Sequence, residues 1–268
     1  MRSIFSFKLY ALLIGVYCGS IHWVAAQEGR VLIHAHNDYH QRMPFYQAYA
    51  QRAYTIEADV FAVDGLLLVG HDREELQPHR TLEALYIKPI VDTFASNGGR
   101  AWVASDNRFV LLIDLKTPAA NTLQQVINLI ANHSAVFDET VNPHAVTVVI
   151  SGAMPEPKAF ADFPGYIQFD GRLGVDYTED QLERVAFVSA SFSGYATWNG
   201  KDPLTDKDFE RVTEAIDQAH GMGKKIRFWG TPDGPTAWNT LYEMGVDIIN
   251  TDQIECCTEF FKERKPLR

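Results

Sequence analysis

The segment HAHNDY, residues 34–39, places two histidines two positions apart behind the apolar run VLI. Farther along, Glu57 and Asp59 lie in the strand-like run YTIEADVF, and Asp114 lies in LLIDLK. Because side chains alternate between the two faces of a strand, Glu57 and Asp59 point to the same side. Two carboxylates in a dry interior need a cation or a proton between them. The pattern therefore indicates a charged site within a buried strand.

Asp114 would supply a third carboxylate if its strand lies beside the strand of Glu57 and Asp59. Three carboxylates without a cysteine are typical ligands of a hard divalent cation. We therefore predict one divalent cation, Mg²⁺ or Ca²⁺, bound by Glu57, Asp59 and Asp114. The alternative is a carboxylate pair neutralised by a basic side chain, and Lys116 could play that part.

His36 and His71 add groups that titrate near neutral pH and can accept or donate a proton. On either side of a metal-held phosphate they would supply one base and one acid. We assign His36 as the base and His71 as the acid, and the reverse order stays open. Lys116 would neutralise non-bridging phosphate oxygens beside the metal.

The elements that must position these residues alternate regularly along the chain. Helix-like segments cover residues 43–53, 81–98, 120–134, 205–223 and 234–245. Eight β-rich runs cover residues 31–35, 54–61, 109–116, 145–151, 166–170, 186–191, 225–230 and 246–252. Alternation of this kind implies βαβ units and a parallel sheet, and eight units predict a single (β/α)8 TIM barrel of the α/β class. Asp64-Gly65 predicts a tight turn, so the second strand carries a β-hairpin extension.

Active sites of such barrels lie at the carboxyl ends of the strands. The predicted catalytic and metal-binding residues all fall there. Three further polar residues do so as well, and we expect them to orient the site residues rather than to touch substrate. They are His34, Asp72 and Asp252.

The set HND, EADV, VDG, LLVGHD, LLIDLK, FWGTPD and GVDIINTD resembles the glycerophosphodiester phosphodiesterase and phosphatidylinositol phospholipase C-like superfamily. Within it, the chain is most similar to the HND-bearing subgroup related to altered-inheritance-of-mitochondria phosphodiesterases. The resemblance implies a barrel enzyme that cleaves phosphodiesters. It gives the carboxylates, the two histidines and Lys116 the roles stated above, and it places Trp229 in the pocket wall. It also implies attack by an internal hydroxyl of the substrate through a cyclic phosphate.

Two positions depart from the usual family pattern. Asn37 stands where an arginine commonly follows the first histidine, so this substrate-binding position carries no charge. Asp114 stands where many relatives have glutamate. The stretch 73–113 also leaves little room for a substrate-capping insertion. The substrate class is therefore open among glycerophosphodiesters, lysolipids and phosphoinositide-type diesters.

Two other functions fit part of the pattern. His34 and His36 form the His-x-His motif with which amidohydrolases bind zinc, but the ligands that such enzymes carry on middle strands are absent. A non-catalytic secreted barrel is the other alternative, and retention of all five catalytic and metal positions argues against it.

Composition narrows the partners and the location. The formal net charge of the 268 residues is −10, without basic runs, which argues against nucleic acid and against docking on anionic lipid. A small-molecule or lipid phosphodiester remains, and the oligomeric state is open. Residues 1–26 read as a cleaved signal peptide, which predicts a secreted or periplasmic domain over 27–268 with no transmembrane segment. The adjacent Cys256 and Cys257 form no disulfide framework.

Overall fold

Nine strands form the sheet of this computed structural model, which describes residues 30–264. The strands are β1 (Leu32–Ala35), β2 (Thr55–Val63), β3 (Leu66–Val69), β4 (Val110–Leu115), β5 (Thr147–Gly152), β6 (Ile167–Gly171), β7 (Val185–Ser191), β8 (Ile226–Trp229) and β9 (Ile248–Thr251). All except β3 are parallel, and they run side by side as β1, β9, β8, β7, β6, β5, β4 and β2. Pairing of β1 with β2 closes the ring. The predicted eight-stranded TIM barrel is confirmed.

The ninth strand, β3, forms the predicted hairpin. It pairs antiparallel with the carboxyl-terminal half of β2, from Val60 opposite Val69 to Val63 opposite Leu66. The connecting residues Asp64 and Gly65 have φ angles of 48° and 80°. Two consecutive positive φ values match the twist of a hairpin, and an Asp-Gly pair adopts them readily.

Helices follow the strands unevenly. They are α1 (Tyr46–Ala50), α2 (Lys88–Ser96), α3 (Ala119–Ala131), α4 (Ser134–Phe137), α5 (Glu179–Glu183), α6 (Asp206–Gly221), α7 (Pro235–Glu243) and α8 (Ile254–Glu263). A π-helical turn, Glu83–Ile87, precedes α2 within the long helix expected over 81–98. Between β5 and β6 only the 3₁₀ segment Pro157–Asp162 forms. The helical layer is therefore thin on that side of the barrel.

Inward-facing side chains change from apolar to polar along the strands. Near the amino ends, Val110, Leu112, Val149, Phe187 and Ile248 pack together in a small cluster. Alternate residues of a strand share a face. On four strands, the residue two positions after a member of this cluster is therefore also inward-facing, and it is polar. These are Asp114, Ser151, Ser189 and Asn250. The carboxyl-terminal mouth of the barrel is therefore polar, as the sequence predicts.

Two expectations concern the ends of the chain. The predicted signal peptide, residues 1–26, lies outside the described residues. Between residues 30 and 264, no helix has both the length and the apolar character that a membrane crossing requires. Cys256 and Cys257 on α8 are both free thiols, and Cys257 is buried.

Candidate active site

Three carboxylates meet at the mouth of the barrel. Glu57 and Asp59 come from β2, and Asp114 comes from β4, where it pairs in register with Asp59. One oxygen of each carboxylate lies within 4.8 Å of the others. Glu57 and Asp59 are only 5 % and 1 % exposed. The structure thus brings together the three residues that the sequence analysis assigns to a cation.

Gly152, at the end of β5, makes room for this cluster. A Cβ at this position would collide with Asp114 Oδ1 and would lie 2.6 Å from the carbonyl oxygen of Leu115. Its φ of 69° is also one that glycine adopts at little cost. The position of Asp114 therefore depends on a glycine in the neighbouring strand.

The three carboxylates carry more negative charge than the one positive charge of Lys116 neutralises. Lys116 Nζ lies 2.9 Å from Asp59 Oδ2 and 3.1 Å from Asp114 Oδ1. The pKa of Asp59 is nevertheless raised, because of burial and the charge of Glu57. Burial likewise raises the pKa of Asp114, and Glu57 adds to this effect. The predicted ion pair of Lys116 thus exists, but it leaves the cluster short of positive charge.

The donor set fits a hard divalent cation. All three side chains offer oxygen ligands, which Mg²⁺ and Ca²⁺ prefer. Asp59 Oδ1 is buried and accepts no hydrogen bond from any described residue. Such an oxygen is costly to bury unless something binds it.

Glu57 is held by two buried basic side chains. His34 Nε2 lies 2.8 Å from Glu57 Oε2, and Arg227 Nη1 lies 3.7 Å from the same oxygen. Burial and the Arg227 charge lower the pKa of His34 to about 3, so this imidazole is neutral. Although burial alone raises the pKa of Glu57, His34 and Arg227 hold it well below its usual range. His34 therefore contacts the Glu57 carboxylate directly, and the orienting role that we expect of it stays a prediction.

His36 reaches the cluster from the side of Glu57. Its Nδ1 lies 2.7 Å from Asp252 Oδ1, and its Nε2 lies 3.9 Å from Glu57 Oε2. Burial alone lowers the pKa of His36, but the hydrogen bond with Asp252 and the nearby carboxylate charges raise it overall. Asp252 thus fixes the ring with Nε2 toward the carboxylates.

His71 reaches the cluster from the side of Asp59, after β3. Its Nδ1 lies 3.0 Å from Asp59 Oδ2, and about half of its side chain is exposed. Its backbone N–H donates to Glu75 Oε2. Asp72 is exposed and its side chain makes no hydrogen bond or ion pair with a described residue, so its orienting role stays a prediction.

Asn37 and Trp229 complete the predicted set. Asn37 adopts a left-handed backbone conformation, with φ 47° and ψ 40°. The Tyr39 hydroxyl lies 2.6 Å from Asn37 Oδ1 and 2.8 Å from Asp59 Oδ2. Trp229 stands at the end of β8 with 46 % of its surface exposed. Asn37 is thus linked to the carboxylates through Tyr39, a residue that the sequence analysis did not single out.

The sequence analysis also gave no prediction of a buried network of polar side chains on β5, β6, β7 and β8. Arg227 Nε donates to Ser189 Oγ, and Arg227 Nη2 lies 3.8 Å from Asp170 Oδ2. Asp170 Oδ2 also accepts a hydrogen bond from Ser151 Oγ. An arginine between Ile226 and Phe228 in a buried strand was the available signal, since such a charge must be paired.

Comparison with known families identifies the domain. The model of the AIM6-like phosphodiesterase domain matches residues 25–161, just over half of the chain. The chain belongs to the AIM6-like phosphodiesterase domain family. The model of the glycerophosphoryl diester phosphodiesterase family matches residues 225–255. The resemblance found in the sequence is confirmed.

Several fungal proteins are similar over most of this AIM6-like chain. The altered inheritance of mitochondria protein 6 homolog of Arthroderma benhamiae is 27% identical over 262 residues, which cover 85% of this chain and 83% of that protein. Altered inheritance of mitochondria protein 6 of Eremothecium gossypii is also 27% identical, with 85% of this chain and 69% of that protein covered.

Solved structures share the barrel of this AIM6-like domain. A glycerophosphoryl diester phosphodiesterase from Parabacteroides distasonis has a TM-score of 0.55 at 15% identity, with 91% of this chain and 90% of that chain covered. A phosphodiesterase from Oleispira antarctica, in complex with the product sn-glycerol-3-phosphate, has a TM-score of 0.51 at 13% identity and covers 87% of this chain and 97% of its own. Likeness at these identities shows the fold alone.

Proposed function

We propose that this AIM6-like domain is a metal-dependent phosphoric diester hydrolase. One observation carries the proposal: three carboxylates lie within 4.8 Å of one another, with an imidazole adjoining them on either side. An amidohydrolase would need zinc ligands on the middle strands. Asp170 of β6 is buried there, and it already pairs with Arg172 and Arg227.

Each site residue has a distinct task in the proposed reaction. Glu57, Asp59 and Asp114 would hold Mg²⁺ or Ca²⁺, which supplies positive charge beside the phosphoryl oxygens. His36 accepts the proton of the attacking hydroxyl at Nε2, since Asp252 orients this ring through Nδ1. His71 donates a proton to the leaving oxygen. Asn37 and Lys116 bind the phosphoryl group, and Trp229 lines the pocket.

The substrate we propose is a glycerophosphodiester, lysolipid or phosphoinositide-type diester. Such molecules carry a hydroxyl near the phosphorus, which can attack it and leave a cyclic phosphate for later hydrolysis. The family model and the product bound by the Oleispira antarctica neighbour support this class. Between β3 and β4 lie only two short turns, α2 and a loop, so the connection has no room for a separate capping domain.

The direct test is a ³¹P NMR survey of the purified protein with these three substrate classes, with and without a chelator. We expect one class to be cleaved and the chelator to stop cleavage. His36→Ala and His71→Ala should each lower turnover by about 10²–10⁴, the usual scale of acid–base catalysis. His220→Ala is the matched control, since His220 pairs with Asp247 just ahead of β9, at the opposite end of the barrel. Wild-type turnover in both site variants would refute the mechanism.

Export is a separate proposal and rests on residues 1–26 alone. Arg2 and Lys8 precede an apolar run that ends in small residues at Ala26. Mass spectrometry of the protein recovered outside the producing cytoplasm should give a chain that begins at Gln27. Recovery of the uncleaved chain would refute it.

A further inference from the structure

We propose that Arg172 binds a phosphate oxygen of the substrate from the side of the barrel opposite His36. This inference rests on the proposed function for its substrate, but its geometry stands independently. Arg172 directly follows β6, and His36 directly follows β1. In the closed ring, four strand-to-strand steps separate β6 from β1 in either direction. The two side chains therefore flank the mouth from opposite sides.

The guanidinium of Arg172 is held in a fixed position. Its Nη1 lies 3.1 Å from the carbonyl oxygen of Asp170 and 3.0 Å from that of Gly171. The same nitrogen lies 3.1 Å from Asp170 Oδ2. Nη2 lies 3.4 Å from Ser151 Oγ. An arginine fixed in this way loses little further entropy when it binds a ligand.

Arg172 keeps donors free for a ligand. The hydrogen bonds and the ion pair that its guanidinium makes with described residues involve Nη1 or one hydrogen of Nη2. Nε and the second Nη2 hydrogen donate to no described residue, and 37% of the side chain is exposed. Neighbouring donors of a guanidinium match the spacing of two phosphate oxygens. The group is therefore both positioned and open.

The other cations at the mouth are less suited to this task. Lys116 bridges Asp59 and Asp114, so these two carboxylates largely neutralise its charge. The Arg227 side chain is only 4% exposed and lies beneath the surface. Asp170, which faces Arg172, is shared with Arg227 and therefore neutralises each arginine only in part.

Arg172 is also near enough to the carboxylate cluster to act on the same ligand. Ser151, which Nη2 contacts, pairs in register with Asp114. Neighbouring strands lie about 4.8 Å apart, so the guanidinium lies roughly one strand from the cluster. A phosphate that contacts Lys116 would thus meet the positive charge of Arg172 on its β5–β6 side. On the opposite side, Asn37 is uncharged.

The test compares Arg172→Met and Arg172→Lys with Arg211→Met, a change of an exposed arginine on α6 that donates to the Gly194 carbonyl. Binding of inorganic phosphate and of sn-glycerol 3-phosphate is measured by calorimetry, with Mg²⁺ and with a chelator. We expect Arg172→Met to weaken binding about 10- to 100-fold, the scale of a lost charge-assisted hydrogen bond. Arg172→Lys should recover part of the affinity, and Arg211→Met should change nothing.

Steady-state kinetics with the diester that the ³¹P NMR survey finds to be cleaved distinguishes a role of Arg172 in substrate binding from a role in structural support. Arg172→Met should raise KM by a similar factor at a temperature well below its melting transition. Unchanged phosphate affinity together with a lower melting temperature would show that Arg172 only braces Asp170, and would overturn the inference. A wild-type protein that binds neither inorganic phosphate nor sn-glycerol 3-phosphate would also overturn the inference. A wild type that binds phosphate through Arg172 without cleaving any diester would overturn the proposed function and leave this inference standing.

Discussion

Asp252 controls the proton affinity of His36. The hydrogen bond between His36 Nδ1 and Asp252 Oδ1 is a major cause of the raised pKa of the imidazole. In Asp252→Asn, the amide oxygen can still accept this hydrogen bond, but the negative charge is lost. The pKa of His36 should therefore fall. If His36 is the base, the acidic limb of the pH–rate profile should move to lower pH.

The same variant distinguishes the two assignments of acid and base. An acidic limb that moves down identifies His36 as the group that must be unprotonated. An alkaline limb that moves down, with the acidic limb fixed, would reverse the roles of His36 and His71. Asp247→Asn, at the far end of the barrel, is the control and should move neither limb. The measurement is kcat/KM for a diester from pH 4 to pH 9.

Residue types at strand ends predicted the centre of the site but not its surroundings. Glu57, Asp59 and Asp114 could be grouped because strand alternation and neighbouring strands fix their relative positions. Tyr39 and Arg227 could not, because Tyr39 contacts Asp59 from the loop after β1 and Arg227 approaches Glu57 from β8, which is not a neighbour of β2. Only the closed ring brings such pairs together. Supporting contacts of this kind depend on geometry that residue type does not encode.

At the scale of elements, the end of β5 shapes the metal-binding position on β4. Gly152→Ala should add the cost of a positive φ and a collision with Asp114 and Leu115. We expect a loss of roughly 1–3 kcal/mol in the free energy of unfolding and weaker binding of the divalent cation. Gly174→Ala is the matched control, because Gly174 has a φ of 73° and open space around it. Gly174→Ala should lower the free energy of unfolding without weakening the binding of the divalent cation.

Urea unfolding and calorimetric titration with Mg²⁺ would measure both effects. The prediction fails if the two glycine variants lose the same stability and bind the cation equally well. In that case Asp114 would tolerate the extra methyl group by moving, and the position of its carboxylate would not depend on β5.

The loop between β1 and α1 contains a buried carboxylate, Asp38, which we expect to make the free energy of unfolding depend on pH. Asp38 Oδ2 accepts hydrogen bonds from the Phe45 N–H and the Tyr86 hydroxyl, yet burial raises the pKa of Asp38 to about 6. A raised pKa in the folded state means that the protonated form is favoured. The contribution of protonated Asp38 to the free energy of unfolding is therefore complete below about pH 4 and is lost as the pH rises through about 6.

Asp38→Asn removes this titration and keeps an acceptor for the same donors. Relative to wild type, the variant should gain roughly 1–3 kcal/mol in the free energy of unfolding between pH 4 and pH 7. Urea unfolding at half-unit steps of pH measures the difference between the two proteins. A constant difference across this range would show that Asp38 has the same pKa in the folded and unfolded chain.

Periodicity predicted the strands better than the helices. All eight barrel strands and the hairpin appear close to their expected bounds, because buried parallel strands are short apolar runs. The side of the barrel around β5 to β7 has only a 3₁₀ segment and the five-residue α5 between its strands. Neither has a helical apolar stripe long enough to recognise. Turn residues marked the hairpin because Asp64 and Gly65 adopt positive φ values.

For the molecule as a whole, the polar mouth is a source of instability that a cation would relieve. The carboxylate cluster is buried, with raised pKa values at Asp59 and Asp114. A ligand that binds only the folded state at 100 times its Kd adds about 2.7 kcal/mol of stability. For a domain of this size we therefore expect Mg²⁺ or Ca²⁺ to raise the melting temperature by roughly 5–10 °C.

Removal of one ligand should abolish this response. Glu57→Gln and Asp114→Asn should melt at the same temperature with and without the cation, whereas Glu210→Gln on the exposed face of α6 should respond as wild type does. Sodium chloride at matched ionic strength controls for screening, and comparison of Mg²⁺ with Ca²⁺ identifies the preferred ion. An equal rise in melting temperature in the wild type and all three variants would show that the cation binds outside the carboxylate cluster. It would leave Lys116 as the cation that neutralises the cluster, because this side chain already contacts two of the three carboxylates.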